Sequence, residues 1–119
     1  MKRFPFMSRH DEKIRLRHMV DAAREAVAFT AGKSRGDLDT ERLLQLAPTH
    51  LLEVIGEAAS QIPSGARQRF PGIPWPLVIG IRNRLIHGYD TVDLDVVWKT
   101  VKDDLPPFLL ALEKALEQP

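Results

Sequence analysis

The chain has 119 residues, enough for one helical domain that buries roughly two-thirds of its unfolded surface, so a single domain over 1–119 is expected. It contains no cysteine, which excludes disulfides, zinc thiolate sites and thiol nucleophiles and makes a reducing cytoplasm the natural setting. A net charge of +1 does not by itself advertise nucleic-acid binding, and no apolar run approaches the ~18 residues of a membrane span, so neither secretion nor membrane insertion is expected.

The charge is unevenly spread. Residues 1–36 carry 9 basic against 4 acidic side chains, 37–62 carry 1 against 5, 63–91 carry 4 against 1, and 92–119 carry 3 against 6. If the two basic stretches adjoin they form a modest electropositive face; otherwise they are ordinary solvated helix surfaces.

Residues 1–9 are expected to form a flexible N-terminal segment. From Asp11 to Ala31, Leu16, Val20, Ala23, Val27 and Thr30 recur at spacings of four and three, which predicts an amphipathic helix stopped at Gly32. Lys33-Ser34-Arg35-Gly36 reads as a flexible polar loop. A second helix is expected to be capped by Asp39 or Thr40, with Leu44, Leu51, Ile55, Ala58 and Ile62 inward. Pro48 either kinks it or starts a new helix. After Pro63, Ser64 can cap one turn, and the proline-rich run Pro71 to Pro76 forms a rigid connector. A third helix is predicted over residues 76–86 with Gly88 beyond its end. Asp93 or Thr91 caps a fourth, with Val97, Val101 and Leu105 inward and a break at Pro106-Pro107, after which Leu109, Leu112 and Leu116 continue the apolar face. With no alternating β pattern, the fold class is all-α, a bundle of four to five helices.

The residues that can carry chemistry gather at Arg82-Asn83-Arg84-Leu85-Ile86-His87-Gly88-Tyr89. On a helix Asn83 and Arg84 lie within about 40–60° of His87, while Arg82 lies about 140° away and flanks that face. The set suits RNA cleavage without a metal. Attack of a ribose 2′-hydroxyl on the adjacent phosphate needs a proton removed, a proton supplied to the leaving oxygen and negative charge neutralised. Histidine performs either transfer near neutral pH, and arginine forks onto phosphate oxygens. A histidine at a helix C-terminus is favoured in its protonated form, which suits a general acid.

Four blocks in order, Val54-Ile55-Gly56-Glu57-Ala58, Ile73-Pro74-Trp75, Arg82 to Tyr89, and Val97-Trp98 with Asp104-Leu105-Pro106, resemble the HepT-like toxins of the HEPN superfamily. The resemblance spans nearly the whole chain, and Arg82, His87 and Tyr89 match the family motif Arg-x4-His-x-Tyr without a gap. It implies a HEPN-type helical fold, a homodimer with the motif residues at the subunit cleft, and endoribonuclease activity with Arg82 and His87 catalytic. It also implies a nucleotidyltransferase antitoxin that silences the toxin by adding AMP to Tyr89. Asn83 is the usual polar residue after the arginine, and Arg84, outside the motif, is treated as a phosphate contact. Gly88 stands where relatives are commonly more polar.

Neither cofactor nor metal is expected. His10-Asp11 lacks further ligands, and His18 and His50 lack a partner at ligand spacing. Glu57 is read as a buried polar contact to the Arg82 region, and Trp75 and Trp98 as core or interface aromatics. The alternatives are a non-catalytic HEPN module that binds RNA or nucleotide or serves as the interaction subunit of a nucleotidyltransferase, and a DNA-binding helix-turn-helix, for which no recognition helix is identifiable.

Overall fold

The computed structural model describes residues 7–85 and 91–118. It is all-α, with no strand among the described residues. His87 and Tyr89 lie outside them, as do residues 1–6 of the segment expected to be flexible.

The spine is α1 (Arg9–Thr30). Ser8 caps it, its hydroxyl accepting from the Asp11 amide at 3.0 Å, and Asp11 and Glu12 in the first turn complement the positive end of the helix dipole. The predicted stripe is buried at Leu16, Val20, Ala23 and Thr30, with Met19 and Ala26 widening it and Val27 at its margin. Gly32, at φ 75°, ends the helix as predicted.

The polar loop that follows is organised rather than loose. The Ser34 amide donates to the Asp37 carboxylate at 2.8 Å, and the Asp37 amide donates to the Ser34 carbonyl at 3.0 Å, a reciprocal cap for the single turn α2 (Asp37–Thr40). The Ser34 amide holds the Asp37 carboxyl below its ordinary value. Arg35 bridges Asp95 at 2.7 Å and Asp39 at 3.0 Å, fastening the loop to a later helix.

Neither Asp39 nor Thr40 caps the next helix, because both belong to α2. Instead α3 (Arg42–Ser60) starts after Glu41 without a side-chain cap. It runs straight through Pro48, so the two outcomes allowed at that residue reduce to a helix that absorbs the proline. Pro48 is buried, and Thr49 donates its hydroxyl to the Gln45 carbonyl at 2.7 Å in the turn the proline weakens. Packing along α1, on a core that includes Leu44, Leu52, Ile55, Ala59 and Ile62, outweighs the lost amide.

Ser64 begins the turn α4 (Ser64–Arg67) rather than capping it. Nearby, Arg69 pairs with Glu12, a carboxylate only 4% exposed, and so joins the two basic stretches of the sequence. The helix predicted over 76–86 is divided into α5 (Trp75–Ile79) and α6 (Ile81–Leu85), broken at Gly80.

Asp93 caps α7 (Leu94–Lys99), its carboxylate accepting from the Asp95 and Val96 amides at 3.1 and 3.2 Å. The helix then widens through one turn, Thr100–Asp104, where the Leu105 amide reaches back five residues to Thr100, and resumes as α8 (Leu105–Leu116). Pro106 and Pro107 lack the amides that would continue regular bonding, and the wider turn accommodates them at the start of α8. The face after this turn is Phe108, Leu112 and Ala115, whereas Leu109 and Leu116 are only half-buried. From the wide turn, Lys102 donates to the Thr30 carbonyl at 2.9 Å at the negative end of α1 and lies 4.9 Å from the Trp98 ring centre.

Candidate active site

Trp75 anchors the segment that carries the motif arginine. Its ring is buried and its Nε1 donates to the Arg67 and Phe70 carbonyls, each at 3.1 Å, as the core reading requires. Val78, Ile81 and Leu85 then face inward, 2%, 4% and 0% exposed. They press α5 and α6 against α3 at Gly56, where an added Cβ would stand 3.4 Å from the Val78 carbonyl and 3.9 Å from the Ile81 Cβ. The absence of a side chain there brings the two backbones close.

With one face of α6 fixed in the core, Arg82 and Asn83 are left exposed on the other. Arg84 is half-buried, and its Nη1 donates to the Leu77 carbonyl at 2.8 Å across the elbow at Gly80. That bond closes α5 onto α6 and occupies part of the guanidinium that sequence reasoning turned toward phosphate. At Gly80 an added Cβ would come within 3.1 Å of the Pro76 carbonyl and 3.5 Å of Arg84 Nη1. Beyond α6, the Asp93 amide donates to the Leu85 carbonyl at 2.8 Å. The residue that ends α6 and the residue that caps α7 are thereby tied together on either side of the stretch holding His87 and Tyr89.

Glu57 is not the buried contact to Arg82 that was expected. It is exposed, accepts from Gln61 Nε2 at 3.1 Å, and lines a groove of about 350 Å³ between α1 and α3 with Arg15, His18, His50 and Glu53. His18 and His50, far apart in sequence, share this groove because α1 and α3 pack side by side. His10 and Asp11 sit exposed in the first turn of α1. Among the described residues no group of three or more histidine, aspartate or glutamate side chains is placed to hold a metal, and no helix is long and apolar enough to cross a membrane.

The family model for HepT-like ribonucleases matches residues 19–115, from the middle of α1 to the end of α8. The chain belongs to the HepT-like ribonuclease family. Among its HepT-like relatives, a protein of Methanocaldococcus jannaschii named "Putative RNase MJ1380" is 35% identical over 100 residues, covering 84% of this chain and 92% of that one. A second M. jannaschii protein, "Putative RNase MJ1216", is 32% identical over 111 residues, covering 93% and 92%. A Thermococcus cleftensis protein named "Probable ribonuclease HepT" is 41% identical over 78 residues, covering 66% and 71%. No solved structure matches the chain. Membership supports a ribonuclease acting on RNA, and the HepT-like match takes in α6 and the residues on both sides of it.

Proposed function

We propose that the chain is a metal-independent endoribonuclease acting as the toxin of a toxin-antitoxin pair, with Arg82 and His87 performing the chemistry. The observation that carries this reading is the exposure of Arg82 on α6, a helix locked into the core through Ile81 and Leu85. A cation held on so rigid a base meets a phosphate without reorganising. In the reaction the 2′-hydroxyl loses its proton and its oxygen bonds to phosphorus. The bond from phosphorus to the 5′-oxygen breaks, and that oxygen takes up a proton, leaving a 2′,3′-cyclic phosphate and a 5′-hydroxyl. His87 serves proton transfer and Arg82 neutralises the phosphoryl oxygens, so the step draws on no Lewis acid. Asn83, beside Arg82, supports the substrate through its amide. Arg84 has donors beyond the one bound to Leu77 and can add a phosphate contact.

The reading includes a homodimer with the two motif sites near its two-fold axis, and a nucleotidyltransferase antitoxin that transfers AMP to Tyr89. An adduct two residues from His87 would fill the space a substrate phosphate needs and repel it electrostatically from Arg82.

The test is incubation of the purified protein with total RNA, with and without EDTA, beside Arg82→Ala and His87→Ala. Cleavage that persists in EDTA and disappears in both variants is the expected result. Wild-type rates in either variant, or activity lost to EDTA and restored by one divalent ion, would overturn the mechanism.

A further inference from the structure

We propose that the groove between α1 and α3 is a nucleobase subsite that recognises guanine in the RNA, an inference that rests on the ribonuclease reading and adds specificity to it. On one wall Arg15 is half-buried, and its Nε is fully buried without a hydrogen-bond partner. A buried donor left unpaired is costly, and a small turn of this half-buried side chain, which lines the groove, would bring the edge of its guanidinium onto a ligand acceptor there. On the other wall stand Glu53 and Glu57, four residues apart on α3, with Val54 and Ala58 supplying apolar surface between the polar groups.

The donor set selects the ligand. One guanidinium facing two carboxylates makes a poor trap for a bare phosphate, but it complements a neutral ring that carries acceptors on one edge and donors on another. Guanine presents O6 and N7 side by side for an arginine fork, and N1–H and the N2 amino group for a carboxylate. Adenine offers the arginine only N7 next to an amino group, and has no adjacent pair of donors for a carboxylate. The volume of about 350 Å³ admits a purine with room to spare, and the imidazoles of His18 and His50 at the exposed rim offer flat surfaces against which the ring can stack. The groove lies beside the motif helix: on α3, Glu53 and Glu57 are about 60° and 100° around the axis from Gly56, the residue that touches α5 and α6. A strand whose scissile phosphate sits at Arg82 therefore has a neighbouring base within reach of this face.

The experiment uses the full chain and fluorescent hexamers of 2′-O-methyl RNA, which lack the attacking hydroxyl and report binding whether or not the protein cleaves. The hexamers are uridine apart from one position carrying guanine, adenine, hypoxanthine or 7-deazaguanine. Guanine is expected to bind at least about tenfold more tightly than adenine, with hypoxanthine weakened by loss of the amino group and 7-deazaguanine by loss of N7. Arg15→Met should erase the difference between guanine and 7-deazaguanine, and Glu57→Gln should shrink that between guanine and hypoxanthine. Equal binding of guanine and adenine hexamers overturns the subsite while leaving the ribonuclease reading intact. Guanosine monophosphate that competes at the hexamer's own affinity also overturns it, because the ligand would then be a free nucleotide. If Arg15→Met melts early, His18→Ala, at an exposed rim position, supplies the second variant and should weaken all purine hexamers relative to an all-uridine one.

Discussion

At the scale of single residues the structure separates side chains left exposed from side chains that hold the fold. Arg82 is exposed, so Arg82→Ala should remove activity with a thermal midpoint close to that of the unmodified chain. Calorimetry beside the RNA assay checks this, and joint loss of fold and activity would make Arg82 structural. Gly56 has the opposite profile. Gly56→Ala meets the Val78 carbonyl at 3.4 Å and should be tolerated, whereas Gly56→Leu has no space and should cost about 1–3 kcal/mol while pushing α6 off α3. A Gly56→Leu protein as stable and active as Gly56→Ala would contradict the close approach. Arg69 lies outside every motif in the sequence, yet it supports the nearly buried Glu12 carboxylate. Arg69→Met should lower stability by about 2–4 kcal/mol, measured by chemical denaturation, because it strands a charge away from water. The motif could be read along the chain because Arg82, His87 and Tyr89 fall within eight residues. The groove of Arg15, His18, His50 and Glu57 was not, because its walls come from two helices and only their packing brings them together.

At the scale of elements, legibility followed the range of the forces. Asp93 caps α7 through hydrogen bonds to amides two and three residues away, and the stripe of α1 is a local repeat; both can be read along the chain, whereas Ser8, which caps α1 in the same way, falls in the segment expected to be flexible. Whether Pro48 breaks α3 depends on burial against α1, which no window of sequence contains. The division of the motif helix is similar: Val78, Ile81 and Leu85 have the same spacing with or without an elbow, and Gly80 makes room for one only in concert with the Pro76 carbonyl and Arg84. Gly80→Ala should therefore crowd that carbonyl and disturb the Arg84 clip, lowering kcat more than it raises KM, because α6 is displaced rather than its substrate contacts removed. Steady-state kinetics on a short RNA distinguishes the two effects. The loop before α2 adds a pH dependence. Asp37 is held below its ordinary value of 3.8, chiefly by the Ser34 amide, so its contribution to stability is present above that value and is lost as the pH falls through the lower folded one. Thermal melts from neutral pH into acid should show Asp37→Asn and the unmodified chain converging at the acid end and separating above it. Parallel curves throughout would mean that the carboxylate does not organise the loop.

At the scale of the whole molecule, the bundle leaves Leu43, Leu46, Leu77 and Leu110 exposed, surface that association would remove from water. Light scattering at micromolar concentration should give twice the chain mass, and a monomer that still cleaves RNA would remove the composite cleft from the proposal. Intact-mass spectrometry with a partner nucleotidyltransferase and ATP should find one AMP on the unmodified chain and none on Tyr89→Phe, which should keep its ribonuclease activity. Full activity in the modified protein would end the silencing model. The wide turn at Thr100–Asp104 also bears on how chain length can vary in this fold. A regular helix that loses one residue turns everything beyond it by about 100°, which in α8 would swing Phe108, Leu112 and Ala115 toward solvent. A turn that already holds one residue more than its neighbours can give that residue up and close into ordinary helix with the following face still in phase. Thr100–Asp104 is thus a place where a one-residue deletion would keep the core face of α8 turned inward, its cost confined to refitting Pro106 and Pro107 to a regular turn.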